Sequence, residues 1–143
     1  MVLMPPPTCS RSRHRTRAQQ IGDDAEDLVA TRLANAGWRV LARRVRVGRL
    51  ELDLCAVDPG PPATLVAVEV RWRSSRDFGL AEETVDGRKL ARLRAAFGRL
   101  LEERALPDGS ALPALPARLD VIVVEPPLEP SGPPRVRHHR GVG

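Results

Sequence analysis

The chain lacks most of the residues that give other protein classes their signatures. Its 143 residues include no tyrosine, two phenylalanines, two tryptophans and a single lysine. Its two cysteines, Cys9 and Cys55, lie in a polar lead and in an apolar run, so neither a disulfide framework nor zinc-ligand spacing is predicted. No apolar run approaches the roughly 18 residues of a membrane span. These absences exclude a disulfide-rich secreted domain and predict a cytoplasmic protein without a membrane partner.

The net charge of +5 lies at the ends of the chain. Residues 1–20 hold four arginines and no acid, residues 126–143 hold three arginines and one acid, and the region between them has 16 basic and 17 acidic residues. We predict a disordered basic tail over 1–20, one domain over 21–125 and a disordered Pro/Arg-rich tail over 126–143. The tails suit either a polyanion partner or a solubilising role.

The segment from Arg49 to Arg73 contains the candidate site. It reads RLELDLCAVDPGPPATLVAVEVRWR, two apolar runs rich in β-branched residues on either side of a Pro- and Gly-rich turn. Because side chains alternate along a strand, the first run places Glu51 and Asp53 opposite Leu50, Leu52 and Leu54. The second run places Glu69, Arg71 and Arg73 opposite Val68, Val70 and Trp72.

The spacing also predicts which residues face each other. If the hairpin is centred near Pro61, Asp53 faces Glu69 and Glu51 faces Arg71. Carboxylates on opposite residues lie about 5 Å apart and repel each other unless a cation or a shared proton lies between them. An acidic pair beside a cation suits a divalent metal. Alternating charges are also typical of a solvated sheet face with loose ion pairs, so both interpretations stay open.

Helices and strands are predicted on both sides of this hairpin. Residues 21–36 have helical apolar spacing with acidic first turns and Gly37 as the stop, and a second helix begins after Thr84 or Asp86 as the N-cap. Residues 38–46 alternate like a strand whose arginines are expected to be solvated, with phosphate contact as the alternative. Residues 118–124 predict a strand buried on both faces and parallel to the second hairpin strand. The order α-β-β-β-α-β predicts an α/β fold with a mixed sheet sandwiched by helices.

These residues carry a resemblance to a known family. E-L-D-L, and V-A-V-E-V-R-W-R after the turn, resemble the G-E-I-D-L and V-F-V-E-V-K-x-R motifs of the YraN-like family, small bacterial proteins regarded as endonucleases. Their fold belongs to the PD-(D/E)xK nuclease superfamily, which includes Holliday-junction resolvases. The resemblance runs from about Ile21 to Val124, and its further matches are Gly22, Glu26, Phe78-Gly79, Glu83-Thr84-Val85, Lys89 and Arg118-Leu119-Asp120-Val121.

The resemblance implies a restriction-endonuclease-like core and a site for Mg²⁺ or Mn²⁺. Asp53 and Glu69 would be direct metal ligands, and Glu26 would complete the site from the first helix. The Val70 carbonyl is a candidate further ligand. One position departs from the family, since Arg71 stands where the motif has lysine. A guanidinium stabilises charge but accepts no proton, so any base role passes to Glu51 or to a group outside the protein.

The second helix carries the candidate nucleic-acid contacts. Arg88 and Arg92 lie on one helix face with Lys89 beside them, which is either a solvated face or a surface for phosphates, and Arg73 shares the face of Glu69. Lys89, the single lysine, replaces the missing motif ammonium only if this helix directs its first turn into the site.

Two functions therefore compete. The first is a metal-dependent endonuclease that cleaves branched or structured DNA, and its junction-cutting relatives suggest a homodimer. The alternative is a non-catalytic nucleic-acid-binding module on a nuclease fold, in which Arg71 clamps a phosphate. A protein-interaction domain whose acids are plain surface ranks below both.

Overall fold

A computed structural model describes residues 16–73 and 86–142 of the chain. A five-stranded sheet lies between two helices, so the predicted mixed α/β architecture is confirmed, with one additional strand. Along the chain the elements are α1 (Arg17–Asn35), β1 (Arg39–Val47), β2 (Leu50–Asp58), β3 (Thr64–Trp72), α2 (Gly87–Glu103), β4 (Ala117–Glu125) and β5 (Arg135–His139). Neither helix of the described residues is long and apolar enough to cross a membrane.

The strands lie in the sheet in the order in which they occur in the sequence. β1, β2 and β3 form an antiparallel meander, β4 pairs parallel to β3, and β5 pairs antiparallel to β4 at the far edge. A parallel neighbour requires a crossover connection, and α2 lies in the connection from β3 to β4. The prediction that residues 118–124 form a strand parallel to the second hairpin strand is thus confirmed.

Each face of the sheet carries its own apolar cluster. Helix α1 contributes Ala25, Val29 and Leu33 to one cluster. Helix α2 contributes Leu93, Ala96, Phe97 and Leu100 to the other. β3 and β4 are covered on both sides, which explains why their sequences are nearly continuous apolar runs. Full burial of a Val or Leu side chain contributes about 1.5–3 kcal/mol, so these two strands supply much of the core.

The helices begin where side chains cap their first turns. Thr16 Oγ1 accepts from the Gln19 N–H, and Gln19 Oε1 accepts from the Thr16 N–H, which forms a capping box. Helix α1 therefore begins at Arg17 and not at Ile21, and it includes four residues of the predicted tail. Asp86, one of the two predicted caps, accepts from the Lys89 N–H at 2.9 Å and begins α2. Gly37 ends α1 as predicted, with a φ of 89° that favours glycine.

The C-terminal segment differs from its prediction as an unstructured tail. Arg135–His139 form β5 and pair with β4 from Val121 to Glu125. Beyond the strand, the Val142 N–H donates to the Leu119 carbonyl at 2.8 Å, and Val142 is buried. The strand was not predicted because the proline-rich segment 126–134 that precedes it has the composition of a linker.

A buried carboxylate holds this C-terminal segment to the sheet. Asp120 in β4 is fully buried and accepts from Arg118 at 2.8 and 3.0 Å and from the Gly141 N–H at 3.0 Å. His138 Nε2 lies 2.7 Å from its Oδ2. Burial alone would raise the pKa of Asp120, but the hydrogen bonds from His138, Arg118 and Gly141 outweigh it and lower the pKa to about 2. His138, which received no role from the sequence, therefore anchors β5.

We expect Asp120→Asn to lower the free energy of unfolding at pH 7 by about 3 kcal/mol, because it leaves buried donors without their charged acceptor. In the wild type, the contribution of Asp120 is present above its unfolded pKa near 4 and is lost as the pH falls through about 2. Urea denaturation between pH 7 and pH 2 measures both effects. Asp24→Asn, at an exposed position of α1, is the matched control, and an equal stability of the two variants at pH 7 would contradict the role of Asp120.

Candidate functional site

The candidate site lies where β2 and β3 separate. Their antiparallel ladder runs from Asp58 opposite Thr64 to Leu54 opposite Val68. The two residue numbers of every pair add up to 122, which is the register predicted for a hairpin centred at position 61. One position beyond the ladder, Asp53 lies beside Glu69. Asp53 Oδ2 accepts from the Val70 N–H at 2.8 Å. At the point where the backbone ladder ends, the side chain of Asp53 thus replaces a backbone carbonyl of β2 as the acceptor for an N–H of β3.

The alternation of faces on β2 is broken at Asp53. The sequence placed Leu52 and Leu54 on one face, yet Leu52 packs in the cluster under α2 and Leu54 packs in the cluster under α1. On the neighbouring β1, Arg44 has a φ of 51°, and the register omits both Arg44 and Asp53. The local distortion allows Asp53 to interact with Glu69 of β3 and with Glu26 of α1.

Asp53 is poorly suited to carrying a charge in the absence of a cation. Burial and the adjacent Glu69 carboxylate raise its pKa to about 8, and Glu26 adds to this increase. The hydrogen bond from the Val70 N–H lowers the pKa but does not compensate. The partly buried Asp53 and the buried Glu69 therefore favour a shared proton or a bound cation between them.

Lys89 of α2 contacts the acidic pair at Glu69. Its Nζ lies 2.7 Å from Glu69 Oε1, and Glu69 is only 4% exposed. Asp86 caps α2, so Lys89 lies in the first turn of the helix. From there its side chain extends to Glu69 on β3. The sequence left open whether α2 directs its first turn into the site, and this contact answers that question. An ammonium is thus present beside Glu69 although the motif position carries arginine.

Arg71 occupies the motif position at a greater distance. Its Nε lies 3.5 Å from Glu69 Oε1, outside good hydrogen-bond geometry, and it is buried without a hydrogen-bond partner among the described residues. The predicted pairing of Arg71 with Glu51 is not part of the β2–β3 ladder. Glu51 is exposed and pairs with Arg46 of β1 instead. The strands have already separated at this point, so Glu51 belongs to the outer edge of the site.

Glu26 is held near the site by arginines of β1. Arg44 Nε lies 3.2 Å from Glu26 Oε2, and Arg44 also reaches Asp23 Oδ1 at 2.5 Å. Arg43 pairs with Asp27 at 2.5 Å. Arg43 and Arg44 are exposed on the edge strand, as predicted, and they also pair with the acids in the first turns of α1, which the sequence did not predict.

The carboxylates form a pair rather than a ligand cluster. No group of three or more His, Cys, Asp or Glu residues in the described ranges is arranged to hold a metal ion. Asp53 and Glu69 are adjacent, whereas the side chain of Glu26 is engaged by Arg44. The contact of Val70 with the pair is made by its N–H, so its predicted role as a carbonyl ligand stays a prediction.

Of the predicted nucleic-acid residues, Lys89 contacts the acidic pair. Arg88 and Arg92 are exposed on α2, and Arg73 lies 3.9 Å from Glu125. The motif positions Phe78-Gly79 and Glu83-Thr84-Val85 lie outside the described residues. Sequence reasoning missed the side chains of β5, although Arg135–His139 (RVRHH) begins with the period-two alternation that signals a strand.

Comparisons with known proteins identify relatives over most of the chain. Residues 25–124 match the family described as Uncharacterised protein family UPF0102. A UPF0102 protein of Frankia casuarinae is 40% identical over 121 residues, which cover 85% of this chain and 93% of the relative. A UPF0102 protein of Roseiflexus castenholzii is 38% identical over 108 residues, which cover 76% and 81% of the two chains. One of Moorella thermoacetica is 39% identical over 110 residues, covering 77% and 82%.

The electrostatics of the site predict that Asp53→Asn stabilises the metal-free protein at high pH. Asp53 ionises near pH 4 in the unfolded chain and near pH 8 in the folded one, so the stability of the wild type falls as the pH rises between these values. Asparagine can still accept from the Val70 N–H but carries no charge. We expect a gain on the order of 2–5 kcal/mol at pH 8.5 and little difference near pH 4, measured by urea denaturation in EDTA.

Asp58→Asn, at the other end of the same strand, is the matched control with the opposite sign. Burial raises the pKa of Asp58, but hydrogen bonds from the Gly60 N–H and Arg118 outweigh it and lower the pKa, so this variant should be less stable than the wild type at pH 7. A destabilised Asp53→Asn protein at pH 8.5 would show that Asp53 and Glu69 do not repel each other.

Proposed function

We propose that this chain, which belongs to the UPF0102 family, is a divalent-metal-dependent endonuclease that hydrolyses phosphodiester bonds in branched or structured DNA. The observation that carries the proposal is the pairing of the partly buried Asp53 with the buried Glu69 at the separation of two strands, with Lys89 2.7 Å from Glu69. The preference for branched DNA rests on the resemblance of the strand motifs to those of junction-cutting nucleases. A homodimer acting on two strands is part of the same proposal.

The acidic pair fits Mg²⁺ or Mn²⁺. Mg²⁺ is commonly held by one or two carboxylates together with substrate phosphates and water, and Asp53 and Glu69 supply that number of oxygen donors. Burial and the adjacent Glu69 raise the pKa of Asp53, and a cation between the two carboxylates would relieve their repulsion. A bound divalent ion would supply charge stabilisation at the phosphate and activation of a water. Glu26 contributes negative potential to Asp53 from α1.

The protein's own cations would act on the phosphate beside the pair. The Lys89 ammonium lies next to Glu69, where it can stabilise negative charge that develops on a phosphate oxygen. The side chain of Arg71 is 31% exposed on the same face of β3, and its guanidinium can orient a phosphate without accepting a proton. We therefore assign the ammonium function of the motif to Lys89 and phosphate positioning to Arg71, with Glu51 as a candidate base at the exposed edge.

One observation favours the alternative of a nucleic-acid-binding module. Lys89 already neutralises part of the charge on Glu69, so the pair has a cation beside it before any metal binds. In that case Arg71 and Lys89 would clamp phosphates, and no cleavage would follow. Metal binding and cleavage separate the two functions.

We expect millimolar Mn²⁺ to raise the melting temperature of the wild type and to have no such effect on Asp53→Asn or Glu69→Gln, because each substitution removes one of two carboxylate ligands. A ligand at 100 times its dissociation constant stabilises by about 2.7 kcal/mol. Differential scanning fluorimetry with and without EDTA measures the effect.

Glu102→Gln, at an exposed position near the end of α2, is the control and should retain the full metal response. The same four proteins should be incubated with a four-way junction and a linear duplex in Mn²⁺. Cleavage by the wild type and the control alone is expected. An equal metal response in all four proteins would exclude a metal site at Asp53 and Glu69.

A second prediction separates the two cations. Lys89→Met should lower metal-dependent cleavage by on the order of 10²–10³-fold, because it removes charge stabilisation at the phosphate while leaving both carboxylates in place. The Lys89→Met protein should still be stabilised by Mn²⁺. If Lys89 served only to hold the site together, this variant would lose the metal response as well. Arg71→Lys should change cleavage by less than about tenfold, since both side chains carry the charge.

These variants also test the binding module. In that case neither the wild type nor any variant cleaves, and Arg71→Lys loses affinity for the junction because a single ammonium replaces a bidentate donor. Fluorescence anisotropy with a labelled junction, in parallel with the cleavage assay, measures both quantities. Faster cleavage by Lys89→Met than by the wild type would contradict the role assigned to Lys89.

A further inference from the structure

The edge strand β5 brings basic side chains to the same end and the same face of the sheet as the acidic pair. The pairing of β3, β4 and β5 places residues in rows across the sheet, and residues within one row point to the same face. One row contains Glu69, Val121 and His139, and the next contains Arg71, Val123 and Arg137. Because Val121 and Val123 pack in the cluster under α2, His139 and Arg137 also project toward that face.

This face carries a net positive charge beyond the acidic pair. Arg73 follows the last residue of β3, its N–H donates to the Val124 carbonyl, and Arg135 pairs with Glu125 in the register of β4 and β5. Glu125 is buried and accepts from Arg137, and it also lies 3.9 Å from Arg73. Glu125 therefore lies within 4 Å of two guanidinium groups, those of Arg73 and Arg137, and opposite a third arginine in the strand register. The positively charged surface extends from Arg71 on β3 to the edge strand β5.

The hydrogen-bonding state of these side chains also points to a ligand. Among the described residues, three buried side-chain nitrogens have no hydrogen-bond partner: Arg71 Nε, Arg137 Nε and His139 Nε2. All three belong to the two rows that include Glu69 and Arg71. Buried polar groups are normally satisfied, so three unsatisfied nitrogens in two adjacent rows mark basic side chains whose hydrogen bonds the protein alone does not complete.

We propose that Arg71, Arg73, Arg135, Arg137 and His139 form a binding surface for the phosphodiester backbone of a DNA strand, which runs from the acidic pair across β4 to β5. This inference rests on the proposed function and names the path of its substrate. Neighbouring strands lie about 4.8 Å apart, so β3 and β5 are separated by about 10 Å. That distance is about three nucleotides of one strand at a rise of 3.4 Å each. β5 thus contacts phosphates within a few nucleotides of the acidic pair.

The test is the salt dependence of DNA binding by the full chain. Each phosphate contact to duplex DNA contributes about 0.9 to the slope of the logarithm of the binding constant against the logarithm of the salt concentration. Arg135→Ala and Arg137→Gln should each lower the magnitude of this slope by about 0.9, and the double variant by about 1.8. Binding is measured by fluorescence anisotropy with a labelled four-way junction in EDTA, which prevents metal-dependent cleavage.

Arg39→Ala is the matched control, because Arg39 is an exposed arginine on the opposite edge strand β1 and at the opposite end of the sheet. It should leave the slope unchanged. Arg137→Gln also removes the partner of the buried Glu125, so Arg135→Ala, at an exposed position, provides an independent test if that variant does not fold.

The outcomes separate this inference from the proposed function. Wild-type slopes in both Arg135→Ala and Arg137→Gln, with metal-dependent cleavage intact, overturn the β5 surface and leave the endonuclease standing. Reduced slopes in both variants without cleavage by the wild type support the β5 surface and overturn the endonuclease. A wild-type protein that binds no junction DNA at any salt concentration overturns both.

Discussion

Two carboxylates that repel each other lie side by side at the point where β2 and β3 stop pairing. The arrangement of the surrounding residues follows from that repulsion. Asp53 accepts from the backbone of β3 in place of a strand partner, and Lys89 reaches Glu69 from the first turn of α2. Glu26 accepts a hydrogen bond from Arg44 and still adds to the negative potential at Asp53. The fold tolerates an unfavourable pair of acids here because most residues of β3 and β4 are buried and stabilise the sheet.

Carboxylates of this sheet differ in how fully the protein satisfies them. Asp120 and Asp58 receive several hydrogen bonds and share Arg118, and their pKa values are lowered. Asp53 receives one backbone N–H and faces another acid, and its pKa is raised. A carboxylate that is fully satisfied by the protein stabilises the fold, whereas one that is under-satisfied is available to bind a ligand.

The sequence allowed the strands and the facing of Asp53 and Glu69 to be predicted because both depend on local signals. Period-two alternation located β2 and β3, and the Pro- and Gly-rich turn set their register. Contacts between side chains that are distant in the sequence could not be predicted. Whether Lys89 reaches Glu69 depends on how α2 packs, and the pairing of Arg44 with Glu26 depends on the approach of α1 to β1. β5 was missed because a five-residue strand gains its stability from Asp120 and β4 rather than from its own sequence.

The scarcity of aromatic residues has a spectroscopic consequence. With no tyrosine in the chain, absorption and fluorescence near 280 nm arise almost entirely from Trp38 and Trp72. Trp38 is buried, with its ring 5.5 Å from that of His138 and with Arg118 and Arg140 over it, so its emission reports on the end of the sheet where Asp120 anchors β5. Trp72 is 38% exposed, one residue after Arg71, and its emission reports on the end that holds the acidic pair. The protein thus carries one intrinsic fluorophore toward each end of its sheet, one buried and one partly exposed.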